Sequence, residues 1–178
     1  MKTCPICKVK FKPRRPLQKV CTLPCALEDS RAKRSKREKA AASRARKEWH
    51  ESNMTVAARA RETQKVFNRY IRVRDQGKAC ISCGITQGQM HAGHYRTTRA
   101  APILRYRTDA VFLQCAQCNN HKSGNQVEYR AALVARYGTV KVEILDLTND
   151  QPRFTHEYLK RLARIYRKKA KLYERLFR

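Results

Sequence analysis

The chain has 178 residues, room for one or two small domains. Lys and Arg number 41 against 14 Asp and Glu, a formal charge of +27, which fits a polyanion such as nucleic acid, bound more weakly as salt rises. No window approaches the ~20 apolar residues of a membrane span, so a transmembrane helix is excluded.

The opening residues, Met1-Lys2-Thr3-Cys4, lead into no apolar run. A signal peptide is therefore not expected, and the cytoplasm is the expected location. The eight cysteines fall into two sets of four with ligand spacing, which suits two zinc ions in a reducing compartment better than disulfides. The first set is Cys4-x2-Cys7 followed by Cys21-x3-Cys25. Val9, Lys10 and Phe11 have β character, Pro13 and Pro16 break any regular element, and Cys25 opens a helical run. A segment this short buries no core of its own, so a bound metal would supply its folding energy. Residues 1–25 hold seven basic residues and no acid, so a DNA contact is as reasonable as a structural cap.

From Ala26 to Gln76 there is neither Gly nor Pro, and Ala, Arg, Lys and Glu dominate, which predicts helix. Ser52, Asn53, Met54 and Thr55 offer a break, since Ser, Asn and Thr are good N-caps. The first half, to about His50, has few large apolar residues and reads as a charged linker or a DNA-tracking arm. In the second half, Val56, Val66, Phe67, Tyr70, Ile71 and Val73 form an apolar face at roughly helical spacing that should dock on the next domain.

Residues 77–125 hold the second cysteine set, Cys80-x2-Cys83 and Cys115-x2-Cys118. Four thiolates close a tetrahedral zinc site and leave His91, His94, Asn119 and His121 over, which suggests a second, catalytic metal. Met90–Tyr95 reads as one strand of a hairpin and Val111–Leu113 as another, with a helix from Cys118 to Gly124. Between the strands, Arg96, Arg99, Arg105 and Arg107 suit a phosphate-contacting loop. Lys122 and Asn125 are expected to face DNA, and Tyr95 to pack beside the hairpin.

Beyond Asn125 the pattern predicts three helices. Val127, Tyr129, Leu133, Val134 and Tyr137 mark the first, stopped by Gly138; Val140 to Leu147 mark the second. The third starts with Thr155 as N-cap and carries a stripe of Leu159, Leu162, Ile165, Tyr166, Leu172, Tyr173 and Leu176. That stripe serves as core or packs on its copy in a second subunit. The sequence therefore predicts an α+β, mostly helical chain. Its parts are an N-terminal zinc finger (1–27), a long basic helical arm (28–76), a zinc-braced core (77–125) and a C-terminal helical region (126–178).

The strings Cys80-Ile81-Ser82-Cys83-Gly84, Ala92-Gly93-His94-Tyr95-Arg96-Thr97-Thr98, Ala100-Ala101-Pro102 and Gln114-Cys115-x2-Cys118-Asn119-x-His121-Lys122-Ser123-Gly124-Asn125 resemble the NinG (Rap) recombination proteins of lambdoid phages. The core also resembles HNH, or ββα-metal, endonucleases of the zinc-braced kind, among them phage endonuclease VII. The resemblance implies a structure-specific nuclease that cuts branched recombination intermediates, Holliday junctions and D-loops, in a host cytoplasm alongside phage or host recombination proteins. It implies His94 as general base, and His94 with Asn119 at a catalytic Mg2+ or Mn2+, Asn119 holding the ion.

Two positions depart from that pattern. The residue before the base His, often an acid, is Gly93, and the place of a His-orienting Asn falls at or near Ala110. Asp109, the single acid in 77–125, is then a candidate metal ligand or His-orienting group; otherwise it caps a turn. Without it, His91, Asn119 and phosphate oxygens would hold the ion and favour Mn2+ over Mg2+. His121 lies two residues past Asn119 and would point away from it on a regular helix, but could stabilise the phosphate. A junction has two-fold symmetry and needs paired cuts, so a homodimer is the expected working form. The competing reading is a non-catalytic zinc-dependent DNA- or RNA-binding regulator. A third, a homing or restriction HNH enzyme, predicts sequence-specific cuts in plain duplex.

Overall fold

The computed structural model describes residues 1–177, which divide into two compact units, Met1–Met54 and the residues from Thr55 on. In the first unit, β1 (Lys2–Thr3) pairs antiparallel with β2 (Lys10–Phe11), and the cysteine turn Cys4-Pro5-Ile6-Cys7 lies between them. Helix α1 (Leu23–Ser52) begins at Thr22, with Pro24 in its first turn, where a missing N–H costs nothing. Cys25 is its one buried residue; the rest of the helix relies on propensity and on charge pairs such as Lys33–Asp29 and Arg34–Glu38.

In the second unit, Thr55 caps α2 (Val56–Arg74) by accepting from the Ala58 N–H. The sequence-predicted arm 28–76 is therefore not one element: its second half is the central helix of this unit. Phe67 and Ile71 are fully buried there, with Tyr70 beside them. The Phe67 ring meets Tyr166 edge-on at 4.8 Å and Tyr106 at 5.9 Å. Val56, expected on this face, is exposed instead.

The centre of the unit is an antiparallel hairpin, β3 (Met90–His94) with β4 (Val111–Cys115), Met90 opposite Cys115 and His94 opposite Val111. Alternation sends Ala92 and Val111 to one face, in the cluster with Phe67, Tyr106, Leu159 and Tyr166. It sends Tyr95, Phe112 and Ala110 to the other, with Tyr129, Leu133, Val142 and Leu145. The chain between the strands forms a 3₁₀ turn, Pro102–Tyr106, where the sequence predicts a loop. After β4 comes one wide π turn, Gln117–His121, then α3 (Gln126–Tyr137), α4 (Thr139–Leu147) and α5 (His156–Leu176).

Two polar ties hold the hairpin between its neighbours. Arg74, at the end of α2, donates to the carbonyls of Thr108 and Val111 while paired with buried Asp75. Burial opposes the charge on Asp75, but the Arg74 and Lys78 hydrogen bonds outweigh it and hold the carboxyl below its ordinary range. On the other face, the Tyr129 hydroxyl accepts from Phe112 N–H at 3.0 Å and donates to Gly93 O at 2.9 Å.

Helix α5 packs on α2 through Leu159, Ala163, Tyr166 and Ala170, so much of its apolar stripe is core. Leu172 and Leu176, expected in the same stripe, are exposed. No described helix is long and apolar enough to cross a membrane. Phe67→Ala would empty the centre of the aromatic cluster; urea unfolding should show a loss of about 3–5 kcal/mol.

Candidate functional site

All eight cysteines are free thiols, and they gather in two groups, Cys4, Cys7, Cys21, Cys25 and Cys80, Cys83, Cys115, Cys118. Within each group the sulfurs lie within 4.8 Å of one another; Cys7 and Cys21 stand 3.3 Å apart, Cys83 and Cys115 3.7 Å. A tetrahedral zinc with ~2.3 Å bonds to sulfur needs edges of ~3.8 Å, so either group can close on one ion with little movement. Burial opposes charge on the Cys80 thiol, but backbone N–H groups of Cys115, Cys83 and Ser82 outweigh it and bring the thiol to about 7. The same balance, with the N–H groups of Cys7, Cys21 and Ile6, lowers Cys4 to about 6. Thiols held this way readily give up a proton to a metal.

The second group braces the hairpin. Cys80 and Cys83 lie in the turn before β3, Cys115 ends β4 and Cys118 lies in the π turn. Ser123, Gly124 and Asn125 all take positive φ, turning the chain sharply out of that π turn. Such backbone disfavours ordinary side chains, and Asn tolerates it best. Asn125 then reaches back, its Nδ2 donating to Cys118 Sγ at 3.6 Å. The sequence pattern assigns Asn125 to DNA; in the fold it serves the cysteine group.

His94 ends β3 on the face toward α2, its ring 6.3 Å from that of Phe67. Its Nε2 lies 3.1 Å from the Arg105 carbonyl and 3.3 Å from Gln64 Nε2. The Arg105 carbonyl can only accept and calls for a proton on Nε2, whereas the Gln64 amide nitrogen can only donate and calls for a lone pair there, so the two contacts favour opposite tautomers, the carbonyl being the closer. Gln64 is held in turn by Arg105 Nε on its Oε1 at 2.7 Å and by Asn68. Burial lowers the His94 pKa below its ordinary 6.5, the Arg105 carbonyl works against this, and the Arg105 charge adds to it. The imidazole is a neutral base at neutral pH.

The other expected site residues are dispersed. His91 and His94 are three apart on one strand and therefore point to opposite faces. Asn119 lies half-buried in the π turn, at the Cys115 end of the hairpin, and His94 is at the other end. No hydrogen bond joins the two among the described residues. Asn119 Nδ2 donates to Asn120 Oδ1, which leaves the Asn119 oxygen unspent. His121 is exposed. Asp109 is bound by Arg107 Nε and Nη2, at 3.0 and 2.6 Å, with Lys141 at 3.6 Å. Burial opposes its charge, the Arg107 hydrogen bonds outweigh it, and its carboxyl sits below the ordinary range. Asp109 closes an ion-pair cluster and reaches neither His94 nor the cysteines by hydrogen bond.

The expected DNA-contacting cations divide similarly. Arg96 is spent on the end of α4, donating to the carbonyls of Leu145, Asp146 and Thr148 and to Asn149. Those carbonyls have no partner within the helix, which is why a guanidinium settles there. Arg107 is spent on Asp109, and Arg105 uses one nitrogen on Gln64. Arg99 and Lys122 are exposed. Tyr95 packs as expected, 5.5 Å from the Tyr129 ring, its hydroxyl donating to Asp146.

Sequence reasoning missed Gln64, Arg74 and Gln114. Gln and Arg on exposed-looking positions carry no spacing signal; only the long-range contact reveals them.

The fold and the two cysteine groups define a strongly basic, mostly helical α+β protein with two sites of the kind that hold zinc. The chain belongs to the family described as "Bacteriophage Lambda NinG protein", whose pattern matches residues 1–175. It is 43% identical over 112 residues to protein ninG of Escherichia phage lambda, covering 62% of this chain and 55% of that protein. Protein ninG of Salmonella phage P22 is likewise 43% identical over 112 residues, with the same coverage, and that of Escherichia phage 933W is 42% identical, over 62% of this chain and 56% of its own. The chain thus spans about half the length of the curated relatives it matches. No solved structure matches it.

Native mass spectrometry should find two zinc ions per chain, and Cys118→Ser should leave one. For His94, the unfolded chain takes up a proton near 6.5 and the folded chain only at lower pH. The stability this contributes is therefore present above pH 6.5 and lost as pH falls through the folded value. NMR titration should place the imidazole below 6.5, and His94→Gln should flatten the acid side of the stability curve; a titration at or above 6.5 would contradict it.

Proposed function

We propose that the chain is a metal-dependent endonuclease of the ββα-metal (HNH) kind that cuts branched DNA, Holliday junctions and D-loops, during phage recombination. The observation that carries this reading is His94: a half-buried imidazole held neutral, with its Nε2 beside the Arg105 carbonyl and its Nδ1 left without a hydrogen-bond partner among the described residues. That is the state a general base needs. The resemblance drawn from the sequence strings supports it, as does the +27 charge for a DNA substrate.

In this mechanism His94 Nδ1 takes a proton from water as the water oxygen bonds to phosphorus. The bond from phosphorus to the leaving sugar oxygen breaks, and that oxygen takes a proton from solvent water, giving a phosphate monoester and a hydroxyl. Phe67 and Gln64 restrict the imidazole from the α2 side, and the Arg105 carbonyl holds it at Nε2. A divalent ion, when bound, would neutralise charge on the phosphate and the leaving oxygen. Exposed Arg99 and Lys122 are available to the DNA backbone, and a homodimer would supply the paired cuts.

A second reading, a zinc-dependent nucleic-acid binder without catalysis, is favoured by one observation: Asp109, the sole acid of the core segment, is consumed by Arg107 and Lys141. Cleavage of end-labelled four-way junction, D-loop and matched linear duplex, with Mg2+ or Mn2+, separates the two. Cutting confined to branched DNA and reduced at least ~10²-fold in His94→Ala, with binding retained, is the expected result. Tight binding without cleavage under either ion would leave the binder.

A further inference from the structure

The site lacks an acid at position 93, and the fold shows what stands there instead. Gly93 does not need its glycine for an unusual backbone angle; its φ is not among the positive ones. It needs the space. A Cβ at this position would lie 2.3 Å from Gln114 Oε1 and 2.8 Å from Gln114 Cβ. Gln114 is wholly buried, and its carboxamide oxygen thus occupies the volume that a side chain at position 93 would fill.

The orientation of that amide is fixed. Gln114 Nε2 donates to the Gly124 carbonyl at 2.6 Å and to Ser82 Oγ at 2.7 Å. A flip would set oxygen against the Gly124 oxygen, so Oε1 must face Gly93. There it is buried and has no hydrogen-bond partner. His91 stands directly across the ladder from Gln114, on the same face of the hairpin, and its Nε2 is also buried and without a partner. An unpaired buried polar atom costs ~1–3 kcal/mol, and two on cross-strand partners are a costly arrangement unless something satisfies both.

We infer that His91 Nε2 and Gln114 Oε1 are donors for one divalent cation, with Gln114 supplying from β4 the oxygen that the missing acid of position 93 would supply from β3. A neutral imidazole nitrogen with a neutral carboxamide oxygen suits a borderline ion such as Mn2+ better than Mg2+, which prefers carboxylates. The role of this site in catalysis rests on the nuclease reading above; its existence does not.

The test uses the zinc-loaded full chain titrated with Mn2+ alone, without DNA, and read by electron paramagnetic resonance. One Mn2+ per chain should bind, with a nitrogen coupling from imidazole. His91→Phe should remove that coupling and weaken binding at least tenfold; His94→Ala should change neither. Gln114→Ala should weaken binding at least tenfold, and the paired variant Gly93→Asp with Gln114→Ala, which returns the oxygen to β3, should recover it. Circular dichroism checks the fold of each, and should His91→Phe or Gln114→Ala fail to fold, the coupling in wild type against His94→Ala and the affinity of the paired variant decide. Absence of bound Mn2+ in wild type, or a coupling and affinity indifferent to His91 and Gln114, would overturn the inference. Mn2+ bound as expected with no cleavage of any DNA would sink the nuclease reading alone. Cleavage lost in His94→Ala, with Mn2+ indifferent to His91 and Gln114, would sink the metal site alone.

Discussion

Four thiols at the base of a five-residue hairpin are the constraint on which the second unit depends. Two strands of this length are marginal in water on their own. Cys80 and Cys83 fix where β3 begins, and Cys115 and Cys118 fix where β4 ends. Once those ends are tied, the register is set, and with it the division of side chains between the two faces. His94 falls to the α2 side and His91 to the α3 side because the period of a strand is two. A slip of one residue would exchange their surroundings.

Much of this was legible from the sequence. The two cysteine sets, the break before Thr55, both hairpin strands, the caps at Thr55 and Thr155 and the stop at Gly138 each arise from a local rule, whereas the helix expected from Cys118 to Gly124 is a π turn that ends at His121. The fate of the polar side chains does not. Arg96, Arg105 and Arg107 look alike in the sequence, yet Arg96 closes the end of α4, Arg107 holds a carboxylate and Arg105 orients a glutamine beside His94. Which cation is left for a phosphate is a tertiary fact. The same holds for Gln114, whose significance lies in a neighbour twenty-one positions earlier that has no side chain. The residues Leu172 and Leu176 fit the period of α5 but lie near its end, beyond Ala170, its last buried position, so they stay exposed.

Helix α1 and helix α2 show two different reasons to be helical. The first is held by intrinsic propensity and local charge pairs over a span of ~45 Å, with one cysteine as its buried anchor. The second is held by packing, with an aromatic column of Phe67, Tyr70, Tyr106 and Tyr166. Local unfolding free energy should track the same division, since exposed backbone bonds open most readily.

The hydroxyl of Tyr129 sits within the strand ladder, between the N–H of Phe112 and the carbonyl of Gly93. The Gly93–Phe112 rung of the hairpin thus takes in a side chain from helix α3, thirty-six residues after the glycine it bonds. The hydroxyl ties the ladder to helix α3. The helix in turn buries its tyrosine hydroxyl with both bonds made only where the strands are paired. Hairpin and helix α3 therefore complete each other's hydrogen bonding and are coupled through that one hydroxyl.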